Sequence, residues 1–152
     1  MYGLRSKEIT LPANGWRPRR HQLPLWNAFT DGLAGDGAGS SRLLEVAHRR
    51  WGKDEVALHG AAVAAHIRPA DYWHCLPKYS QARKAIWQAT NPHTGRRRID
   101  EAFPKELRAN TNEQEMFIRL KCGGTWRVVG SDNPDSLVGA PPAGLVFSEW
   151  AL

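Results

Sequence analysis

The sequence holds only two cysteines, Cys75 and Cys122, which lie far apart and form no C-x-x-C pair. This scarcity excludes a disulfide framework and argues against a zinc site, so both are expected to be small buried residues of an intracellular protein. No apolar run is long enough to span a bilayer, and Met1–Pro12 lacks the apolar core of a signal peptide. The six histidines include no H-x-x-x-H metal pair. These absences predict a soluble, cytoplasmic protein that has no membrane partner.

The composition is that of one compact domain with its own core. Of 152 residues, 41% are hydrophobic and 24% are charged, which excludes wholesale disorder. Lysine and arginine outnumber the acidic residues by 21 to 15, so the formal net charge is +6. This excess favours a polyanionic partner, either nucleic acid or nucleotide phosphates, but a solvated basic surface explains it equally well.

Hydrophobic spacing predicts the order of helices and strands along the chain. Apolar residues at helical spacing predict helices from about Pro18 or Arg19 to about Ala34, over Asp54–Ile67, over Ser80–Thr90, and over Ile99–Leu107 with a break near Pro104. Apolar runs predict buried strands at Arg42–His48, Asp71–Pro77 and Gly144–Glu149, and a hairpin of Glu115–Cys122 with Thr125–Val129. The other stretches are a flexible loop at 35–41, a basic turn at 91–98 and one helical turn starting at Pro134.

Strands that alternate with helices predict an α/β fold with a parallel sheet flanked by helices. Nothing in the sequence suggests a second domain. Residues 1–17 are predicted to be an extended N-terminal arm, and residues 18–152 to form the single domain.

Ala47–Asp54, with the sequence AHRRWGKD, carries the Gly-Lys pair of a phosphate-binding loop, whose usual form is G-x-x-x-x-G-K-[ST]. Such loops bind phosphate because backbone N–H groups and the N-terminus of a helix point at the anion. Gly52 permits close approach of the backbone, and Lys53 supplies a positive charge for the terminal phosphates. An Arg-rich loop with an incidental Gly-Lys is the alternative, and the predicted order of strand, loop and helix favours the phosphate loop.

A second signal comes from Leu145–Glu149, LVFSE, an apolar run that ends in an acid. Nucleotide hydrolysis requires Mg²⁺ and a base for water, and both usually depend on a buried strand that ends in acidic residues. Glu149 is therefore a candidate for the carboxylate that orients or deprotonates the attacking water. An apolar run followed by Glu is common by itself, so the hypothesis depends on its combination with the upstream loop.

The two motifs depart from their usual forms in a related way. The usual loop ends in Ser or Thr, whose hydroxyl binds Mg²⁺, and the usual acidic strand supplies an Asp to the same ion. Here the loop ends in Asp54 and the strand carries Ser148, so one carboxylate and one hydroxyl remain with their positions exchanged. Asp54 and Ser148 are therefore candidate Mg²⁺ ligands, and two independent, tolerated drifts are the alternative.

The loop VAHRRWGKDE resembles that of the large terminase subunit, the ATPase that packages DNA into the heads of tailed phages. That family often lacks the first Gly and has Arg residues before x-G-K. The segment WRPRRHQLPLW resembles the family's adenine-contacting segment, LPKYSQARKAIW its strand-and-helix segment, and GSDNPDSLVG with LVFSEWAL the turn and the acidic strand. The likeness covers about Trp16 to Leu152 and implies a P-loop NTPase-type sheet flanked by helices.

The resemblance implies a site for ATP with Mg²⁺. Gln22 is implied to read the adenine, while Gly52 and Lys53 hold the β- and γ-phosphates. The positions implied to contact the nucleotide are Gln22, His48, Arg49, Arg50, Trp51, Gly52, Lys53 and Asp54.

The catalytic roles implied by the resemblance fall on both motifs. Arg49 or Arg50 is implied to act on the γ-phosphate, and Glu149 to be the catalytic carboxylate. Asp54 is implied to lie near Mg²⁺. The run Arg96–Arg98 is a separate candidate for contact with DNA phosphates, with a solvated loop as the alternative.

By the same resemblance the partners are double-stranded DNA, the phage portal, the small terminase subunit and other copies of the large subunit, in the host bacterial cytoplasm. The family continues past the acidic strand into a coupling motif and a nuclease domain. The sheet is therefore expected to be incomplete at its C-terminal end, and the chain alone to be weak in ATP hydrolysis. The alternatives are a non-enzymatic binding or inhibitory protein built on a shortened ATPase core, and a helicase-like ATPase.

Overall fold

The computed structural model describes residues 4–6, 9–34, 42–132, 139 and 141–149. The loop predicted at 35–41 and the helical turn predicted from Pro134 lie outside these residues. The strands of the described residues are, in chain order, β1 Leu4–Ser6, β2 Ile9–Leu11, β3 Asp71–Leu76, β4 Arg108–Asn112, β5 Phe117–Leu120, β6 Thr125–Gly130 and β7 Gly144–Phe147.

The helices are those that the hydrophobic spacing predicts, with changed boundaries. They are α1 Leu23–Ala34, α2 Lys53–Ile67, α3 Tyr79–Ala82 and α4 Arg98–Ala102. A π-helical turn at Arg83–Trp87 continues α3, and 3-10 turns lie at Ala13–Gly15, Arg20–Gln22 and Lys105–Leu107. None of the described helices is long and apolar enough to cross a membrane.

The last five strands form one sheet in the order β4-β5-β6-β3-β7. β3 pairs in parallel with β6 on one side and with β7 on the other, so that His74 lies opposite both Val128 and Val146. β4, β5 and β6 pair in antiparallel fashion. The prediction of an α/β sheet flanked by helices is confirmed, but the sheet is mixed rather than parallel because the predicted hairpin places β5 beside β6.

The strand predicted at Arg42–His48 is wrong, because this segment has no regular secondary structure. Leu44 is 91% exposed and Val46 is 90% exposed, so the apolar run faces solvent. A strand needs a neighbour to pair its backbone groups. Among the described residues the edge strand β7 pairs with β3 alone.

α2 and the π-helical turn pack on the same face of the sheet. This face carries Tyr72 and Trp126, which lie opposite each other in register. Trp126 stacks with Trp87 of the π-helical turn at 6.2 Å between ring centroids. The Tyr72 hydroxyl donates hydrogen bonds to the carbonyl oxygens of Ala64 and Arg68 at the end of α2. These contacts fix the position of α2 against β3.

α2 lies deep in the domain because small side chains line it. Ala61–Ala65 are all buried. A Cβ added to Gly60 would lie 2.7 Å from the Phe29 ring of α1, so glycine permits the close approach of the two helices. The helix is therefore held on both sides, and its N-terminus has a fixed place above the sheet.

The predicted N-terminal arm packs against the domain. β1 and β2 form a short antiparallel pair, and Leu11 and Ala13 are fully buried. The Asn14 side chain donates a hydrogen bond to the Glu101 carbonyl oxygen at 2.8 Å. These contacts continue the core to the N-terminal side of α1.

Two arginines of the basic turn at 91–98 form ion pairs with other residues of this chain. Arg97 forms an ion pair with Glu113 at 3.0 Å, and Arg98 forms one with Glu55 at 3.2 Å. Hydrogen bonding with Glu113 raises the pKa of Arg97 further. These ion pairs favour a structural role for the two residues over the DNA contact considered for this run.

His59 of α2 is a neutral ring buried under Trp16. The two rings stack at 4.3 Å between centroids with an interplanar angle of 9°. Burial, with the nearby charge of Arg98, lowers the pKa of His59 to about 3. Its Nδ1 atom has no hydrogen-bond partner in the described part of the chain. The histidine therefore contributes packing in its uncharged form only.

We predict that His59 makes the domain less stable as the pH falls. In the unfolded chain His59 binds a proton near pH 6.5, whereas in the folded chain it stays neutral down to about pH 3. Acid therefore favours the unfolded state between these values, by about 1.4 kcal/mol per pH unit. His59→Phe keeps the stacking and removes the titration. We measure the free energy of unfolding by urea denaturation at pH 7 and at pH 5. Between these two pH values we expect it to fall by about 2 kcal/mol less in the variant than in the wild type.

The matched control is His93→Gln, because His93 is exposed. This variant is expected to show the same acid sensitivity as the wild type. A parallel loss of stability in wild type and His59→Phe would show that His59 is not responsible for it.

Candidate functional site

The Gly-Lys loop leads directly into the N-terminus of α2. The Trp51 N–H donates to the His48 carbonyl oxygen at 3.3 Å and closes a turn. Arg50 has a φ of 64° and Gly52 a φ of 88°, so the backbone is left-handed at two positions just before the helix. Gly52 is the N-cap of α2. The first N–H groups of α2 have no partner within the helix, which is the arrangement that binds anions.

Gln22 holds this loop from within the protein. It is fully buried, and its amide nitrogen donates to the carbonyl oxygens of Trp51 at 3.3 Å and Gly52 at 3.2 Å. Its amide oxygen accepts the Arg19 N–H at 2.8 Å. Because both donor hydrogens are used by the loop, these contacts favour a role in fixing the loop. The adenine contact implied for Gln22 stays a prediction.

Gly52 meets two requirements that no other residue meets as well. Its positive φ is costly for a residue with a Cβ. A Cβ at this position would also lie 2.6 Å from the Arg19 guanidinium and closer still to the Gln22 amide. Glycine at this point therefore allows Gln22 to reach the loop.

Lys53 and Glu149, the residues predicted to bind phosphate and to catalyse, form an ion pair. The Lys53 Nζ atom lies 2.9 Å from Glu149 Oε1. Lys53 is the first residue of α2, and Glu149 follows β7 with a positive φ of 57°. Both side chains are partly exposed, at 27% and 36%. The fold thus brings the loop Ala47–Asp54 into contact with the acid that ends Leu145–Glu149.

Beside this ion pair the Ser148 hydroxyl donates a hydrogen bond to Asp54 Oδ1 at 2.6 Å. Ser148 is buried, and its backbone N–H donates to the carbonyl oxygen of Cys75 in the neighbouring strand β3. His74 Nε2 lies 3.2 Å from the same Asp54 oxygen. The carboxylate and hydroxyl of the exchange hypothesis are therefore in direct contact.

Asp54 is held in its ionised form. Burial raises the pKa of Asp54, but hydrogen bonds from His74 and Ser148 and the electrostatic attraction of His74 and Lys53 outweigh burial and lower that pKa. Oδ1 receives both hydrogen bonds, and within the described ranges Oδ2 accepts none. One carboxylate oxygen is thus fixed by two protein donors, and the other accepts no hydrogen bond from a described residue.

Of the other loop residues, His48, Arg49 and Arg50 are exposed and Trp51 is half-buried. Arg49 and Arg50 are exposed and form no ion pair with any described residue. His48 donates from Nδ1 to the Arg49 carbonyl oxygen at 2.6 Å. Trp51 is half-buried and meets the His21 ring edge-on at 5.2 Å between centroids. The two arginines therefore add uncompensated positive charge at the surface of the loop.

Asp54 and Ser148 fit Mg²⁺ in the chemistry of their donor atoms. Mg²⁺ prefers oxygen and is commonly bound by one or two protein groups together with water and substrate phosphates. A carboxylate oxygen without a hydrogen bond and a hydroxyl oxygen meet that requirement. In the part of the chain that the structure describes, no group of three or more His, Cys, Asp and Glu residues could hold a metal. Cation binding at Asp54 would therefore depend on nucleotide phosphates.

His74 contacts Asp54 at the site but belongs to none of the motifs that the sequence presents. The strand DYWHCL places Tyr72, His74 and Leu76 on one face, where His74 is the polar member between two apolar neighbours. A buried polar group requires a partner. This pattern indicates that His74 needs a partner but does not identify that partner as Asp54.

Comparison with known proteins gives no match to this chain, since no family model, no curated protein and no solved structure is similar to it. The function is therefore argued from the geometry of the site and from the motifs that form it.

We predict that Asp54 and Ser148 are energetically coupled. The 2.6 Å hydrogen bond joins a hydroxyl to a carboxylate. Asp54→Thr alone places two hydroxyls there, and Ser148→Asp alone places two carboxylates there. The double variant again has one carboxylate and one hydroxyl, with their positions exchanged. We expect its loss of stability to be smaller than the sum of the single losses by about 0.5–3 kcal/mol, as measured by urea denaturation.

The control cycle combines Asp54→Thr with His93→Gln, an exposed site away from this pair. Those two changes are expected to add within about 0.5 kcal/mol. Equal additivity for the Asp54 and Ser148 changes would show the exchange hypothesis to be wrong.

Proposed function

We propose that this chain binds ATP with Mg²⁺ and is the ATPase portion of a phage terminase large subunit, which powers DNA packaging. The observation that carries the proposal is the 2.9 Å ion pair between Lys53 and Glu149. It joins the end of the Gly-Lys loop to the acid that follows β7. Phosphoryl transfer to water needs a cation at the phosphates and a carboxylate at the attacking water in one site.

The loop and the start of α2 form the phosphate-binding half of this site. The backbone at Gly52 and the first N–H groups of α2 bind phosphate oxygens. Lys53 neutralises charge on the β- and γ-phosphates, and the exposed Arg49 and Arg50 add positive charge near the γ-phosphate. The loop is held in place by Gln22 before any nucleotide is bound.

The end of β7 forms the catalytic half. Glu149 orients the attacking water and accepts its proton. Asp54 and Ser148 would hold Mg²⁺, which when bound neutralises charge on the phosphates. The protein's own contribution is to hold these oxygens beside Lys53 through the Asp54–Ser148 hydrogen bond.

Lys53 has two possible partners in this mechanism. In the structure it neutralises Glu149, so the phosphates of an incoming nucleotide compete with Glu149 for the same ammonium group. When Lys53 turns to the phosphates, Glu149 loses its cation and is available to water. Nucleotide binding and release of the catalytic carboxylate are thereby one event.

The terminase resemblance extends the proposal to partners. These are double-stranded DNA, the portal, the small terminase subunit and other copies of the large subunit, in the host cytoplasm. The net charge of +6 is compatible with a polyanionic partner.

We predict that nucleotide stabilises the wild type through Lys53. A ligand that binds only the folded state raises the unfolding free energy by about 2.7 kcal/mol at a concentration of 100 times Kd. Thermal unfolding with increasing ATPγS and Mg²⁺ measures this effect. We expect Lys53→Ala to abolish most of the shift in Tm, because the variant loses the ammonium group at the phosphates.

Lys84→Ala is the matched control, since Lys84 is exposed and lies outside the loop. It is expected to retain the full shift. An unchanged shift in Lys53→Ala would mean that Ala47–Asp54 is not a working phosphate loop.

We predict that Glu149→Gln binds nucleotide more tightly than the wild type and does not hydrolyse it. The substitution removes the charge that competes for Lys53, in an ion pair that is partly exposed. Such pairs contribute about 0.2–1 kcal/mol, which corresponds to a Kd about 1.4- to 5-fold lower. Fluorescence titration with a labelled ATP analogue measures the Kd, and a steady-state assay measures turnover.

Glu106→Gln removes an exposed carboxylate away from the loop and serves as the control. It is expected to leave Kd unchanged. Weaker binding by Glu149→Gln would contradict the competition between Glu149 and phosphate.

A second candidate function is that of a non-enzymatic binding protein built on the same core. It is favoured by the exposed apolar side chains of Leu44 and Val46 beside the loop, since such groups often mark protein contacts. DNA-stimulated ATP turnover that is lost in Glu149→Gln supports the ATPase. Because the chain alone is expected to hydrolyse ATP weakly, the absence of a nucleotide-induced shift in Tm, rather than low turnover, supports the binding protein.

A further inference from the structure

His74 is the most completely buried titratable side chain at the site, and the phosphate-loop mechanism gives it no task. It lies in the middle of β3, is 1% exposed, and has the Trp126 ring edge-on at 6.4 Å. Its Nε2 atom is 3.2 Å from Asp54 Oδ1. Its Nδ1 atom is buried and has no hydrogen-bond partner in the described residues.

When the His74 ring is uncharged, these contacts determine which ring nitrogen carries its single hydrogen. With hydrogen on Nε2, His74 donates to Asp54 Oδ1, and Nδ1 is left as an unpaired acceptor. With hydrogen on Nδ1, a buried N–H has no acceptor and the Nε2 lone pair faces a carboxylate oxygen. The first arrangement satisfies the donor and the carboxylate together, so His74 acts on Asp54 as a hydrogen-bond donor.

The arrangement is not that of a hydrolase with a nucleophilic serine. In such enzymes the histidine lies between the serine and the acid, and takes the proton from the serine. Here the carboxylate lies between the other two, because both Ser148 and His74 bond to Asp54 Oδ1. Ser148 therefore has no contact with the His74 imidazole that could activate it as a nucleophile, and the cluster serves to orient Asp54.

Two donors from two different strands fix the rotation of the Asp54 carboxylate. Ser148 follows β7 and His74 lies within β3, and both reach the same oxygen. Oδ2 is left without a hydrogen bond from any described residue. A single donor would let the carboxylate turn about that one bond, whereas two donors hold Oδ1 toward the sheet and keep Oδ2 for a cation.

We infer that His74 is a positioning residue for the cation that accompanies the nucleotide, acting through Asp54. This inference rests on the proposed function. Groups that hydrogen-bond to a metal ligand orient that ligand, and their loss typically costs 10–100-fold in metal affinity. His74 would therefore set the dependence of nucleotide binding on Mg²⁺, while the Gly52–Lys53 loop sets the binding of nucleotide without metal.

The experiment compares His74→Gln with His74→Asn in the full chain. The Gln amide nitrogen occupies about the place of Nε2 and retains the donor to Asp54, whereas the Asn amide nitrogen falls near the place of Nδ1 and does not reach it. Titration with a fluorescent ATP analogue gives Kd with excess Mg²⁺ and with EDTA. The ratio of the two Kd values is the gain in affinity due to Mg²⁺.

We expect the wild type and His74→Gln to show similar Mg²⁺ gains. In His74→Asn we expect the Mg²⁺ gain to be about tenfold smaller or to disappear. The Kd of this variant in EDTA is expected to stay within about twofold of the wild type. If His74→Asn does not fold, as judged by its thermal transition, His74→Phe supplies the ring without a donor.

Two results would overturn the inference while leaving the proposed function in place. One is an unchanged Mg²⁺ gain in the donor-free variant that folds, either His74→Asn or His74→Phe. The other is a parallel loss in Mg²⁺ and in EDTA, which is the mark of a purely structural role. The absence of nucleotide binding by the wild type in both conditions is a different outcome, which rejects the proposed function and this inference with it.

Discussion

Asp54 accepts hydrogen bonds from Ser148, after β7, and from His74, in β3, so one carboxylate ties the first turn of α2 to two neighbouring strands. A partly buried carboxylate without donors would lose part of its solvation with no compensating hydrogen bond. Here the two donors and the electrostatic attraction of His74 and Lys53 outweigh burial and keep Asp54 ionised. The N-terminus of α2 is thereby placed at the carboxyl ends of β3 and β7, where open α/β sheets bind their ligands. The Lys53–Glu149 ion pair lies beside this contact because Lys53 directly precedes Asp54 and Glu149 directly follows Ser148.

Much of the fold, and the contact between Asp54 and Ser148, could be predicted from the sequence. The apolar period of Asp54–Ile67 predicts α2, and the Gly-Gly turn predicts the hairpin of β5 and β6. The link between Asp54 and Ser148 could be predicted because each residue breaks its own motif in the way that complements the other. That comparison uses chemistry alone and needs no coordinates, and the 2.6 Å hydrogen bond agrees with it.

The remainder depends on which segments become neighbours, and residue types do not determine this. Arg42–His48 has the apolar composition of a buried strand, yet Leu44 is exposed because no described strand lies beside the segment. β4, with the sequence RANTN, is too polar to be read as a strand, and it forms because β5 offers it an edge. His74 shows the same limit at the site, since its pattern in β3 signals a need for a partner without naming Asp54.

The charges of the site show how a nucleotide would approach it. Lys53 is paired with Glu149, and Glu55 is paired with Arg98. Arg49 and Arg50 are exposed and have no such partner in the described ranges. An approaching polyphosphate therefore meets uncompensated positive charge at the arginines before it reaches Lys53. Under the proposed function Lys53 would then leave Glu149, and a ligand with too little negative charge to compete with a carboxylate would remain at the arginines. The Lys53–Glu149 ion pair would in this way favour a triphosphate over a less charged anion.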